Sequence, residues 1–222
     1  MYNILISGYY GFDNIGDESI LRTLVSSLRE HIPDCSLTVL SHNPTSTREK
    51  YGVEAVDRMS PMAILRAVKK CDMLISGGGS LLQDVTSSKS LHYYLSIIRC
   101  AEFFHKKVFI YSQGIGPIDR PGNRRAAAAA LKRADGIVVR DERSASLLEE
   151  IGIARDKVVI TADPVIRMKK PDGDVGAEIL RKAGVSLDGR LTVGWAIRER
   201  DTDSRFVKEL LRSIQMLSLI HI

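Results

Sequence analysis

Residues 2–31, YNILISGYYGFDNIGDESILRTLVSSLREH, decide the fold. Tyr2 to Ser7 is a short apolar run of strand length that ends at a glycine. From Asp17 to His31, residues Ile20, Leu21, Leu24, Val25 and Leu28 recur at the spacing of a helix packed along one face, and Pro33 stops it. The same alternation repeats along the chain. Ser36–Ser41, Val53–Val56, Cys71–Ser76, Lys107–Ser112, Gly136–Val139 and Val158–Thr161 read as strands. Ser60–Lys70 (Ser60 as cap, Pro61 first), Ser90–His105, Asn123–Ala134 and Asp141–Ile151 read as helices. The order predicts an α/β fold, a doubly wound, mostly parallel sheet with helices on both faces.

The chain has 222 residues, at roughly 150 residues per domain about one and a half domains. Residues 1–166 account for one domain. The polar, basic stretch Arg167–Asp174 (RMKKPDGD) reads as a linker. Residues 175–216 then restart the pattern: helix Val175–Ala183, strand Leu191–Ile197 and helix Ser204–Ile214. This is too little to close a second sheet, so it reads as the truncated start of a second domain. Leu217–Ile222 (LSLIHI) lacks a cap or polar end and reads as a non-native tail.

Hydrophobic residues at 44% and charged residues at 27% are ordinary for a globular protein. The net charge of +5 is spread out, with no basic stripe interleaved with aromatics, so nucleic acid is not the expected partner. Three cysteines without a CxxC pair argue against a zinc ribbon or a disulfide framework and suggest a reducing compartment. The N-terminus has no signal-peptide core, and no apolar run approaches a membrane span of about 20 residues. The expected location is cytoplasmic.

The chemistry-bearing residues gather at strand ends, where open parallel sheets bind ligands. Ser7–Glu18 (SGYYGFDNIGDE) follows the first strand. Its spacing is not GxGxxG, and acidic residues at the helix start repel phosphate, so a dinucleotide site is disfavoured. Asp17 suits a hydroxyl-rich ligand, since a carboxylate accepts hydrogen bonds from hydroxyls; plain helix capping is the competing reading. Ser76–Asp84 (SGGGSLLQD) follows another strand, and its three glycines leave amides free to line a ligand. Ser112–Pro117 (SQGIGP) ends a third strand. Arg140 ends a fourth, able to bind a carboxylate or phosphate bidentately or to pair with Asp141 or Asp163; the residues leave both open. Asp163-Pro164 ends the last strand. No metal-ligand spacing is present among the histidines.

SGYYGFDNIGDESIL, SGGGSLLQDVTS, YSQGIGP, VVRDERS and TADPV, in that order and spacing, resemble the polysaccharide pyruvyl transferase family across residues 1–215, most closely its CsaB type. The resemblance implies the N-terminal half of a GT-B-like fold of two Rossmann-like domains facing a cleft, with residues 1–166 on the acceptor side. It implies transfer of a pyruvyl ketal from phosphoenolpyruvate, as donor substrate and without further cofactor or metal, to a sugar. For the CsaB type the sugar is N-acetylmannosamine of a lipid-linked secondary cell-wall polymer that anchors S-layer proteins through SLH domains. Peripheral contact with the inner face of the membrane follows. Asp17 and Arg140 become the candidate catalytic residues, with Arg140 on the phosphoenolpyruvate anion. Tyr10 would stack on or hydrogen-bond the sugar, and Gly77, Gly78 and Gly79 would admit the ligand closely. Gly11, Asn14, Gly16, Ser80, Gln83, Gln113 and Gly114 complete the expected substrate contacts. The family's acid–base histidine lies in the second half, and His221 is not carried over to that role. The alternatives are a nucleotide-sugar glycosyltransferase of the same architecture and a non-catalytic sugar-binding module.

Overall fold

The structure, a computed structural model, describes residues 2–85, 87–169, 173–186, 208–209, 211–213 and 216. The chain divides into two compact units, Met1–Lys169 and Lys170–Ile222. In the second, helix α7 spans Gly173–Lys182, and residues 208, 209, 211–213 and 216 are helical. The strand expected at Leu191–Ile197 and the tail at Leu217–Ile222 lie outside the described residues.

The first unit holds seven strands: β1 (Tyr2–Tyr10), β2 (Cys35–Ser41), β3 (Glu54–Asp57), β4 (Met73–Gly77), β5 (Lys107–Gln113), β6 (Gly136–Val139) and β7 (Val158–Ile160). They form one sheet in the order β3-β2-β1-β4-β5-β6-β7, and each adjacent pair is parallel. The connecting helices are α1 (Ile15–His31), α2 (Pro44–Tyr51), α3 (Pro61–Lys70), α4 (Ser88–Phe103), α5 (Pro121–Leu131) and α6 (Glu142–Glu150). Successive strand residues enter opposite cores, as the two-residue period of a strand requires. Ile4 and Ile6 pack with Leu21, Leu24 and Val25 of α1, whereas Leu5 packs in the cluster holding Val68, Leu91, Ile98, Ala130 and Leu148 of α3–α6. Each face of the sheet is therefore covered, which is why the strands read as near-continuous apolar runs.

Two local results differ from the sequence expectation. Helix α1 begins at Ile15, because the Asn14 side chain caps it, accepting from Gly16 N (3.1 Å) and Asp17 N (3.3 Å). Helix α2 had no counterpart in the expected elements. It buries only Thr47 and Tyr51, so it shows no apolar stripe; its signals are the Asn43 cap, Pro44 in the first turn and Gly52 in the left-handed C-terminal position.

The glycines after β4 serve packing. A side chain on Gly77 would meet the Tyr10 hydroxyl at 2.7 Å and Leu24, and one on Gly78 would strike Ile20. The expectation that Gly77 and Gly78 open space for a ligand is corrected: they admit α1 against the sheet. Gly78 also holds φ at +28°. Gly78→Ala should therefore destabilise the unit by about 2–4 kcal/mol, from overpacking against a stiff β-branched neighbour and from backbone strain. Urea denaturation of Gly78→Ala, Ile20→Ala and the double variant checks this, with the double variant costing less than the sum of the singles.

Candidate functional site

The strand order reverses at β1, whose neighbours β2 and β4 lie on opposite sides. In open parallel sheets the crevice outside such a switch point is where ligands sit. Two loops flank it here, residues 11–14 between β1 and α1 and residues 78–85 after β4. Because Asn14 takes the cap, the Asp17 carboxylate is released from that role and turns to the second loop. A side chain on Gly79 would come within 2.9 Å of Asp17 Oδ1, and Gly79 holds φ at +76°. The first loop is tied down by Glu18, whose Oε1 accepts from Gly11 N (2.8 Å) and whose Oε2 accepts from the Tyr51 hydroxyl. Gly16 lies in the first turn of α1, its amide on Asn14.

The second loop is joined to the one after β5. Gly114 N donates to Gly79 O (2.8 Å) and Gly116 N to Leu82 O (2.7 Å). Arg140 lies over this junction. Its Nη2 donates to Ser80 Oγ (2.9 Å) and its Nη1 to Asp163 Oδ2 (2.9 Å), with Asp141 Oδ2 at 3.7 Å from Nε. Gly114 has no side chain because one would meet Arg140 Nε at 2.8 Å and Ser80 Oγ at 2.9 Å. The ion pair with Asp163, one of the two readings open for Arg140, is thus present. Asp17, Gly79, Ser80, Gly114 and Arg140 form one continuous rim. Beside Arg140 opens a cavity of about 410 Å³, lined by Ser80, Gly114, Arg124, Asp141 and Arg143 among others. That volume lies in the range of small-ligand pockets. Among the described residues, no group of three His, Cys, Asp or Glu is placed to hold a metal ion, and no helix is long and apolar enough to cross a membrane.

Two expected contacts are corrected. Tyr10 is 1% exposed and packs with Ile4, Ile6 and Leu24, so it presents no ring face to a sugar. Gln113 is fully buried, its Nε2 donating to Ser76 O (2.9 Å) and Ser76 Oγ (2.7 Å), which locks β5 to β4. Gln83 is half-buried in the second loop. Sequence reasoning missed Arg58. This buried arginine at the end of β3 donates from Nη1 to Gly8 O (3.0 Å) and from Nη2 to Tyr94 Oη (3.2 Å), while its Nε has no hydrogen-bond partner among the described residues. Its one signal was its position, a cation directly after a strand like Arg140.

Burial, followed by the neighbouring Glu18 charge, lifts the Asp17 carboxyl from 3.8 to about 6, against the pull of Arg140 and Arg58. Asp141 goes the other way: burial opposes ionisation, but hydrogen bonds from Ser144 and the charges of Arg140 and Arg143 outweigh it. A raised value in the folded state means that the protonated form favours the fold. That contribution is complete below 3.8 and is lost as the pH rises through about 6. Asp17→Asn, neutral throughout, should therefore be more stable than the parent above pH 6 by on the order of 1 kcal/mol, given the partial exposure of the group. The difference should close toward pH 4, and thermal melts across that pH range measure it.

The chain is similar to known proteins in two ways. It is 24% identical to the amylovoran biosynthesis protein AmsJ of Erwinia amylovora over 237 residues, covering 88% of this chain and 56% of the relative. In fold it is similar to Anabaena HepE in complex with UDP-glucose (TM-score 0.54, 11% identity, 83% of this chain and 50% of that one). It is also similar to S. aureus MnaA in its UDP co-structure (TM-score 0.52, 14% identity, 83% and 50%). These likenesses establish the Rossmann-like fold, and the chain spans about half the length of the proteins it matches. The sequence model of the polysaccharide pyruvyl transferase family matches residues 14–217, a span that begins at the Asn14 cap and takes in Asp17, the triple glycine and Arg140; the chain belongs to that family.

Proposed function

We propose that this chain contributes the acceptor-side wall of a pyruvyltransferase that moves a pyruvyl group from phosphoenolpyruvate onto two hydroxyls of a polysaccharide sugar. The observation that carries the reading is the rim itself: a carboxylate whose pKa burial lifts to about 6, in the first turn of α1, and an arginine just after β6, brought together against the glycine loops that follow β4 and β5. An arginine beside a polar cavity suits a donor with carboxylate and phosphate groups, and a carboxylate suits a polyol acceptor. Arg140 already neutralises Asp163, so the donor anion shares it with that partner; Arg124 and Arg143 line the same cavity.

In the proposed reaction a proton adds to the methylene carbon of the donor's enol, giving an oxocarbenium-like centre. The first sugar hydroxyl attacks that centre and gives up its proton. The carbon–oxygen bond to phosphate then breaks, and the second hydroxyl closes the ketal. Of the two hydroxyl protons lost, one replaces the proton consumed at the methyl carbon and the other leaves with phosphate. Asp17 accepts a hydrogen bond, and then a proton, from an acceptor hydroxyl, a task that favours a pKa near the working pH. Arg140 stabilises the anionic donor throughout. The family resemblance supports N-acetylmannosamine of a lipid-linked secondary cell-wall polymer as acceptor, S-layer anchoring as its use, and the cytoplasmic face of the membrane as its place.

Phosphoenolpyruvate titrated into the chain by calorimetry should bind at least about tenfold more weakly to Arg140→Ala than to the parent, the loss of a charged hydrogen bond. With the second half of the enzyme present, phosphate release with a lipid-linked N-acetylmannosaminyl disaccharide should fall in Asp17→Asn while donor affinity is kept. Unchanged donor affinity in Arg140→Ala would overturn the assignment.

A further inference from the structure

The tyrosine that faces outward is Tyr9, and it does not stand alone. Tyr9, Phe12 and His42 form a column of three rings at the carboxyl ends of β1 and β2. Phe12 is the middle ring, its centroid 4.1 Å from Tyr9 and 4.3 Å from His42, with planes within 6° and 4° of parallel. Two rings at those distances cannot share one face of Phe12, so they cover its opposite faces. Tyr9 and His42 each keep a second face that Phe12 does not cover. Tyr9 is 39% exposed and His42 is exposed.

The column is built in. The guanidinium carbon of Arg58 lies 5.1 Å from the Phe12 centroid and 5.7 Å from that of Tyr9. It is nearer the middle ring than the end ring, so it flanks the column and does not cap the outer face of Tyr9. The backbone between the rings is held by Glu18 on Gly11 N and by His42 N donating to Tyr10 O (2.9 Å). Arg58 also links the column to the rim, since its charge acts on the Asp17 carboxyl.

We infer that this column is the platform on which the acceptor sugar sits, the apolar C–H face of a pyranose against the outer ring face and its hydroxyl edge toward Asp17. The platform rests on the pyruvyl-transfer reading for the sugar's role as acceptor and for the direction in which it is presented. Rigid aromatic faces bury area at little entropic cost, which suits a ligand with one apolar face and a polar rim. Asp17 and Glu18, in the first turn of α1 beside that loop, disfavour the phosphate of a stacked nucleotide, and the Asp17 carboxylate can accept from a sugar hydroxyl.

Saturation-transfer NMR on the 222-residue chain, irradiating aromatic resonances, tests the platform with methyl N-acetyl-β-mannosaminide and, in a separate arm, uridine monophosphate. The expected result is saturation of the pyranoside ring C–H protons, with affinity weakened about tenfold or more in Tyr9→Ala and restored in Tyr9→Phe. His42→Ala, which leaves the β1–α1 loop intact, should weaken the same signal if its face is the one used, and far-UV circular dichroism verifies that each variant is folded. Absence of pyranoside saturation in the parent, unchanged affinity in both Tyr9→Ala and His42→Ala, or saturation of the nucleotide in place of the sugar overturns the platform. The two readings fail separately. Unchanged donor affinity in Arg140→Ala with sugar saturation retained removes pyruvyl transfer and leaves the platform standing. Weakened donor binding in Arg140→Ala with sugar affinity unchanged in Tyr9→Ala and His42→Ala does the reverse.

Discussion

The hydrogen bonding between β4 and β5 does not end where the strands end. Gly78 N donates to Tyr111 O, Gly114 N to Gly79 O, Gly116 N to Leu82 O and Asp84 N to Pro117 O, a ladder carried through two glycine loops. Beyond it the Asp84 carboxylate accepts from Asp119 N, Arg120 N and Asn123 Nδ2 and so fastens the start of α5. Each bond is worth only about 0.5–1.5 kcal/mol, but together they make one wall of two loops. Asp17 touches that wall at Gly79, and Arg140 at Ser80 and Gly114. Without the ladder Asp17, in α1, and Arg140, just after β6, would each meet a separate loop and share no common wall.

The wall also sets the electrostatics. Arg140 balances Asp163 at close range and Asp141 at longer range. Burial, and then the like charge of Glu18, hold the Asp17 proton more tightly than an ordinary carboxyl's, against the pull of Arg140 and Arg58. Glu18 serves both purposes, raising Asp17 and pinning Gly11. Arg58 carries a buried charge whose Nη groups reach neutral oxygens on Gly8 and Tyr94 and whose guanidinium is surrounded by the rings of Tyr9, Phe12, Tyr93 and Tyr94. Two of the rings that shelter this cation, Tyr9 and Phe12, are thereby held at the carboxyl end of β1.

Much of the architecture was legible because its causes are local. Apolar runs ending at glycine marked the strands, and Ser60-Pro61 marked the start of α3. The polar helix α2 escaped, since its stability comes from caps and from Tyr51 reaching α1, with no apolar stripe to announce it. The two misread side chains share one cause. Tyr10 and Gln113 each follow the point where the apolar run stops, yet β1 continues to Tyr10 and β5 to Gln113, each past an irregularity in the register with its neighbour. A residue read as loop is therefore still strand, and its side chain is in the core.

What the sequence determined by itself was the alternation of strand and helix, the burial of both sheet faces, and the delivery of glycine and charge to one edge, for these depend on composition and spacing within each segment. The tertiary structure alone decided which of two adjacent tyrosines faces outward, that Gly77 and Gly78 admit a helix in place of a ligand, and that Arg58 is part of the site. Those outcomes are set by partners far along the chain, such as the Gly8 carbonyl that Arg58 reaches across 50 positions. Side-chain environment in a sheet covered on both faces is fixed by what packs above and below it, and no local pattern carries that information.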